Sequence, residues 1–164
     1  TRKGDAWSFE SYLKAQNAGR NDNFGHSIAL DAASGTLAVG ARYDDSCATG
    51  VSSSAATDQG CSSSGAVHIF ERSGKTWRLE GFVKAPNAAS NDYFGYSISL
   101  SADRLAVGAY GEDSCPGTDP TTTTAASDNR CYNAGAVYVY TKHLTRWKFE
   151  AFIKSAIEDG RDHL

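Results

Sequence analysis

The chain has 164 residues and a mass of 17.4 kDa, the size of one ordinary domain. Hydrophobic residues make up 40% and charged residues 21%, so a folded core is within reach, and a net charge of -3 leaves no basic excess for nucleic acid. No apolar run approaches the roughly 20 residues of a membrane helix, and with neither a signal segment nor a methionine the chain is expected to be a processed product or part of something longer.

In chain order, the first strand-like run is 7–14, opening on Trp7. Runs at 24–30 and 36–40 follow, then a long Ser/Ala/Gly-rich loop over 42–64, a run at 65–71, a Ser73-Gly74-Lys75 hairpin turn and a run at 77–84. The series then begins again: 94–100, 104–108, a loop over 110–134, 135–141 and 147–154. Trp7, Trp77 and Trp147 fall seventy residues apart, each opening a Trp-x-x-Glu-x-x-x-Lys run that closes on Lys14, Lys84 or Lys154. Length differences between the copies are confined to loops. No apolar residues recur at helical spacing over three turns, so the chain reads as all-β.

Four short antiparallel strands in each repeat have the make-up of a β-propeller blade, a sheet that needs a neighbour on each face. The reading is therefore two full blades, with 1–23 supplying the outer strand of a preceding blade, 24–93 blade 1, 94–154 blade 2, and 155–164 a linker to a following blade. Two blades cannot close a ring, so either a longer chain or association of copies is expected. Period-two alternation from Trp77 puts Trp7, Trp77 and Trp147 on the face that packs between blades. The same alternation puts Tyr12, Phe82 and Phe152 on the opposite face, as an exposed stripe for contact with another chain.

Phe24-Gly25 followed by Gly40-Ala41, and Phe94-Gly95 followed by Gly108-Ala109, resemble the FG-GAP repeat, which builds the propeller head of integrin α chains and of secreted surface proteins. The Trp-x-x-Glu strands and the Gly135-Ala136-Val137-Tyr138 strand look like the secreted, non-integrin branch. The resemblance implies extracellular adhesion or ligand binding. Two departures matter. The family's motif proline is Arg42 in one unit and Tyr110 in the other. Its Asp-rich calcium loop is reduced to Asp31 and Asp103, too few carboxylates for a calcium ion, so no metal site and no cofactor is carried over.

Repeat equivalence pairs Cys47 with Cys61 and Cys115 with Cys131, each bond closing a long loop; a zinc site is the competing reading, but there is no C-x-x-C and no fitting His. Disulfides point to a secreted or cell-surface location. Asp44-Asp45-Ser46 and Glu112-Asp113-Ser114 recur before the first Cys of each loop, which suits turn-shaping carboxylates better than a single active site. His26 and His68 align with Tyr96 and Tyr138, so the histidines form no catalytic set. Thr residues at 121–124, after Pro120, hint at O-glycans. The expected function is non-enzymatic: adhesion or protein–protein assembly through self-association or protein partners, without nucleic acid or membrane insertion. A carbohydrate-binding propeller, or the accessory domain of a secreted enzyme, is the alternative.

Overall fold

The computed structural model describes residues 2–115, 121–122, 125 and 128–155. Residues 156–164 of the expected tail and half of the Thr run, 123–124, therefore lie outside the described residues. Strands are β1 (Arg2–Lys3), β2 (Ala6–Trp7), β3 (Phe24–Asp31), β4 (Thr36–Ala41), β5 (Gly50–Ser52), β6 (Ala66–Ser73), β7 (Thr76–Lys84), β8 (Ser97–Ser101), β9 (Arg104–Ala109), β10 (Thr121–Thr122), β11 (Ala136–His143) and β12 (Arg146–Ile153). They form two antiparallel sheets, in the orders β3-β4-β6-β7-β5 and β8-β9-β11-β12-β10, plus a hairpin of β1 and β2. Each large sheet is the expected four-strand meander with one addition: a short strand from the disulfide loop, β5 or β10, pairs outside the fourth strand. Nothing in the Ser-rich loops announces it.

The β6–β7 turn uses Gly74 at φ 60°, a left-handed conformation that glycine adopts without strain. The same turn in blade 2 carries Leu144 at φ 56°, with 98% of its surface exposed.

A bulge decides the faces of the fourth strand. In β7, Leu79 pairs with Phe70 but Gly81 pairs with Ile69, so Glu80 is an extra residue; in β12, Phe149 pairs with Tyr140 and Ala151 with Val139, leaving Glu150 extra. One extra residue reverses the alternation beyond it. Phe82 and Phe152 therefore turn inward and are 1% and 2% exposed, which corrects the expectation of an exposed stripe; only Tyr12, at 75%, stands in solvent.

The run at 7–14 also departs from expectation. Only Ala6–Trp7 is a strand, paired with Arg2–Lys3, because among the described residues no third strand lies beside 8–14 to complete a ladder. Trp7 is 79% exposed, Trp77 is half-buried and Trp147 is 4% exposed. The series follows what each ring has to pack against. Trp147 meets blade 1 at Glu80, Trp77 lines a cleft together with Glu10 and Leu13, and Trp7 lines the same cleft but keeps most of its surface in solvent, so the expectation of packing between blades fails for it.

One apolar cluster runs through both sheets, from Ala38, Val67, Ile69 and Val83 to Phe94, Leu105, Val107, Tyr138, Tyr140, Trp147 and Phe152. Burying a side chain of this size contributes about 2 kcal/mol, so the facing sheets stabilise each other and share a single core.

Candidate functional site

The seam between the blades is built largely from backbone. Asn91, Tyr93 and Phe94 donate their N–H groups to the carbonyls of Ser62, Ser63 and Ser64, at 2.8, 3.1 and 3.0 Å. Asn91 and Tyr93 sit at φ 69° and 56°, which turns successive N–H groups toward the neighbouring blade. Gly65 bridges Phe94 in parallel, and a Cβ there would lie 2.1 Å from the Phe94 carbonyl oxygen. A Cβ on Gly40 would lie 2.3 Å from the Gly95 oxygen, which accepts Ser27 Oγ–H at 2.7 Å. The Phe-Gly and Gly-Ala motifs are thus the places where the two backbones approach too closely for a side chain. The phenylalanine closes each blade from inside: Phe94 packs edge-on against Tyr138, and Phe24 against His68, at centroid distances of 5.3 and 5.2 Å.

Further out the bulge aims Glu80 at blade 2. Its carboxylate takes Lys142 Nζ at 2.5 Å and Trp147 Nε1 at 3.3 Å. Glu10 meets Arg72 at 2.6 Å in the equivalent place on blade 1. The segment 8–23 therefore lies along blade 1 much as 78–93 lies along blade 2, and Asn17 donates to Asp44 as Asn87 donates to Glu112.

Each blade hides an ion pair at the root of its long loop. Lys84 Nζ lies 3.2 Å from Asp44 and 2.7 Å from Ser64 Oγ, and Lys154 Nζ lies 2.6 Å from Glu112, all with almost no exposure. Burial alone would raise the Asp44 pKa, but Lys84, Ser46 and Asn17 together hold it below the usual carboxylate range. Lys14, the third copy, is exposed. The recurring Asp/Glu-Asp-Ser triplets thus sit as loop anchors: Asp44 and Glu112 bind the lysines, while Asp45 and Asp113 accept the N–H of Ser63 and Asn133, both at 2.7 Å.

Asp92, 2% exposed, lies in the seam beside this network; burial raises its pKa to about 7 against the Ala89 N–H bond, with the charges of Glu112 and Asp113 adding to the rise. His68 is 0% exposed, and burial lowers its pKa to about 4. Neither of its ring nitrogens has a partner among the described residues, nor has Asn17 Oδ1. In blade 2, by contrast, Tyr138 Oη donates to Asn87 Oδ1 at 2.7 Å.

Both disulfides form, Cys47–Cys61 and Cys115–Cys131, with Cα separations of 5.0 and 4.8 Å. Asp58 and Asp128 fix each loop by accepting the N–H of Cys47 and Cys115 at 2.6 and 2.9 Å. Sequence reasoning passed over this pair, although Asp-x-x-Cys recurs in both loops. Among the described residues no group of three or more His, Cys, Asp or Glu side chains is gathered as a metal would require, and no helix is long and apolar enough to cross a membrane.

No curated protein matches the chain closely enough for comparison. The FG-GAP repeat matches it twice, at residues 7–70 and 77–140, each match running from a Trp segment into the third meander strand of the sheet that follows. Two matches across most of the chain, together with paired sheets whose Phe-Gly and Gly-Ala residues form their seam, establish that the chain belongs to the FG-GAP repeat family.

Proposed function

We propose that this chain is an extracellular, non-catalytic propeller module that acts through protein–protein association, as a unit of adhesion or of a surface assembly. One observation carries the reading: the seam inside the chain is a complete template, and each outer flank bears one half of it. On the leading flank Asn21 and Asn23 keep φ 69° and 55°, matching Asn91 and Tyr93. On the trailing flank Asn133 and Gly135 keep φ 54° and 71°, matching Ser63 at 55° and Gly65 at 80°. Backbone preset on both sides lowers the ordering cost of docking. Contacts of this head-to-tail kind build rings or filaments. The two disulfides support an oxidising, extracellular setting.

Sedimentation velocity over a range of concentrations tests the reading. The expected result is a mass that rises in whole multiples of the chain. Ser97→Arg, at the trailing-flank position equivalent to Ser27, should hold the chain at the monomer mass. A single monomeric species at every concentration would overturn the proposal.

A further inference from the structure

Four of the eight tyrosines come together where the two blades meet, and at none of these positions does the other repeat have a tyrosine. Tyr93 corresponds to Asn23, Tyr96 to His26, Tyr110 to Arg42 and Tyr43 to Gly111, so the repeat itself does not call for these rings. Tyr93 and Tyr110 lie face to face, with 4.8 Å between centroids and 8° between planes. Tyr96 packs edge-on against Tyr110 at 4.7 Å, and Tyr43 reaches across from blade 1 to meet Tyr93 edge-on at 5.7 Å. The Arg42 guanidinium lies 4.4 Å from the Tyr43 ring and 5.4 Å from the Tyr96 ring.

We propose that Tyr93 and Tyr110 form an oxidative cross-linking site, at which hydrogen peroxide and a one-electron haem peroxidase join the two rings as dityrosine. Planes this close to parallel touch at about 3.5 Å, so the larger centroid distance means that the rings are slid past each other with their edges overlapping. A Cβ on Gly111 would lie 3.1 Å from Tyr93 Cε2, so a carbon ortho to the Tyr93 hydroxyl is turned toward the chain beside Tyr110. Each phenol gives up one electron and its O–H proton, and the two phenoxyl radicals pair through ring carbons ortho to oxygen. Each ring then moves the displaced C–H proton to its oxygen and recovers aromaticity. The net loss is two hydrogens from carbon, and one peroxide takes them up as two waters. Tyr96, 42% exposed and in contact with Tyr110, offers the oxidant an entry, and the Arg42 charge favours departure of a phenol proton. The chain has no methionine and, among the described residues, no free cysteine, so the side chains that ordinarily absorb oxidant first do not compete. Two radicals already in contact pair before either meets another chain. Tyr93 belongs to the segment docked on Ser62–Ser64 and Tyr110 follows β9, so the bond ties that segment to the sheet of blade 2. It does so whether or not copies of the chain associate.

Treating the intact chain with a haem peroxidase and limiting hydrogen peroxide tests the site. The monomer should lose the mass of two hydrogens, add no oxygen and gain the blue fluorescence of dityrosine. After reduction of the disulfides, tryptic cleavage leaves Tyr93 on peptide 85–104 and Tyr110 on peptide 105–130, so the bond is read as the covalent union of those two. Fragment spectra of the parent chain distinguish Tyr93 from Tyr96 without any variant. At a fixed ratio of peroxide to chain, the linked fraction should stay constant over about tenfold dilution. Tyr93→Phe and Tyr110→Phe, which remove one hydroxyl and keep the ring, should each abolish the linked pair with circular dichroism unchanged. Tyr132→Phe, at a position 73% exposed, should leave its yield unchanged. Oxygen added at Trp7 with no linked pair, bonds formed only between chains or through Tyr12 or Tyr132, or a union that survives Tyr93→Phe would each overturn the proposal.

Discussion

Blade 1 and blade 2 fold the same meander, with the same bulge and the same loop anchors, yet they hide different chemistry. At the heart of blade 2, Tyr138 reaches Asn87 and Tyr140 donates to the Lys84 carbonyl at 2.9 Å. Blade 1 offers His68 and Phe70 in those places, and the shorter imidazole leaves both itself and Asn17 Oδ1 unsatisfied. Phe94, enclosed by the seam, is 0% exposed, whereas Phe24 on the flank is only half-buried. Blade 2 is therefore completed by the neighbour it has, and blade 1 is the same sheet with part of its partner surface replaced by a single segment. An FG-GAP repeat draws much of its order from the blade before it.

Five experiments sharpen or break this contrast. The largest effect is expected at the buried lysines, since removing one partner of a buried pair strands the other charge: Lys84→Met and Lys154→Met should each cost about 3–5 kcal/mol in denaturant unfolding. Equal costs would mean the blades share one cooperative unit, and a far smaller cost at Lys84 would mean blade 1 opens alone.

Trp147→Ala should cost about 3–5 kcal/mol, while Trp7→Ala should stay within about 0.5 kcal/mol. A large loss at Trp7 would show that its ring packs in solution where the structure leaves it exposed.

His68→Tyr should stabilise blade 1 by about 1 kcal/mol at pH 7 by supplying the missing bond to Asn17. It should help more in acid. The folded pKa of His68 is about 4 against 6.5 for the free side chain, so the stability that the neutral imidazole supports is present above pH 6.5 and is lost as pH falls toward 4, a change on the order of 3 kcal/mol. Asp92 works in the opposite direction. With its pKa raised to about 7 from 3.8, the stability of its protonated form is present below pH 3.8 and is lost as pH rises to 7. The two slopes oppose each other between pH 4 and 6.5. Relative to the parent chain, His68→Tyr should therefore gain stability on acidification; a constant difference across that window would show that His68 is solvated.

The smallest effect is expected at the hairpin turn. Leu144→Gly, which gives blade 2 the residue blade 1 already has at a positive φ, should stabilise by about 1 kcal/mol. Deleting residues 1–14 bears on association instead of stability. Because 7–14 and 147–154 are equivalent segments claiming one place in a head-to-tail joint, the truncated chain should associate at lower concentration in sedimentation. Weaker association would show that the segment is part of the contact.

Much of the fold was legible in the residues. The seventy-residue spacing of Trp7, Trp77 and Trp147 gave the repeat, alternation gave the strands, and the equivalence of Cys47/Cys61 with Cys115/Cys131 gave the disulfide pairing. Phe-Gly and Gly-Ala stood out as a pair because a backbone approach that excludes a Cβ leaves glycine as its mark. The candidate sites were far less legible. Strict alternation misassigned Phe82 and Phe152, because a bulge is a difference between two paired strands and neither strand alone records it. The closely spaced apolar residues Leu79, Phe82 and Val83 were its only trace.

Sequence alone thus determined the all-β class, the number of blades, the disulfide bonds and the motif positions, since each depends on local periodicity or on repetition that a chain displays directly. The tertiary structure alone decided which aromatic rings are buried, that Lys84 and Lys154 carry their charges into the interior, and that Arg42 and Tyr43 meet the tyrosines of the next repeat. Those outcomes depend on what stands across the seam, and a chain cannot show its neighbours until the sheets are stacked.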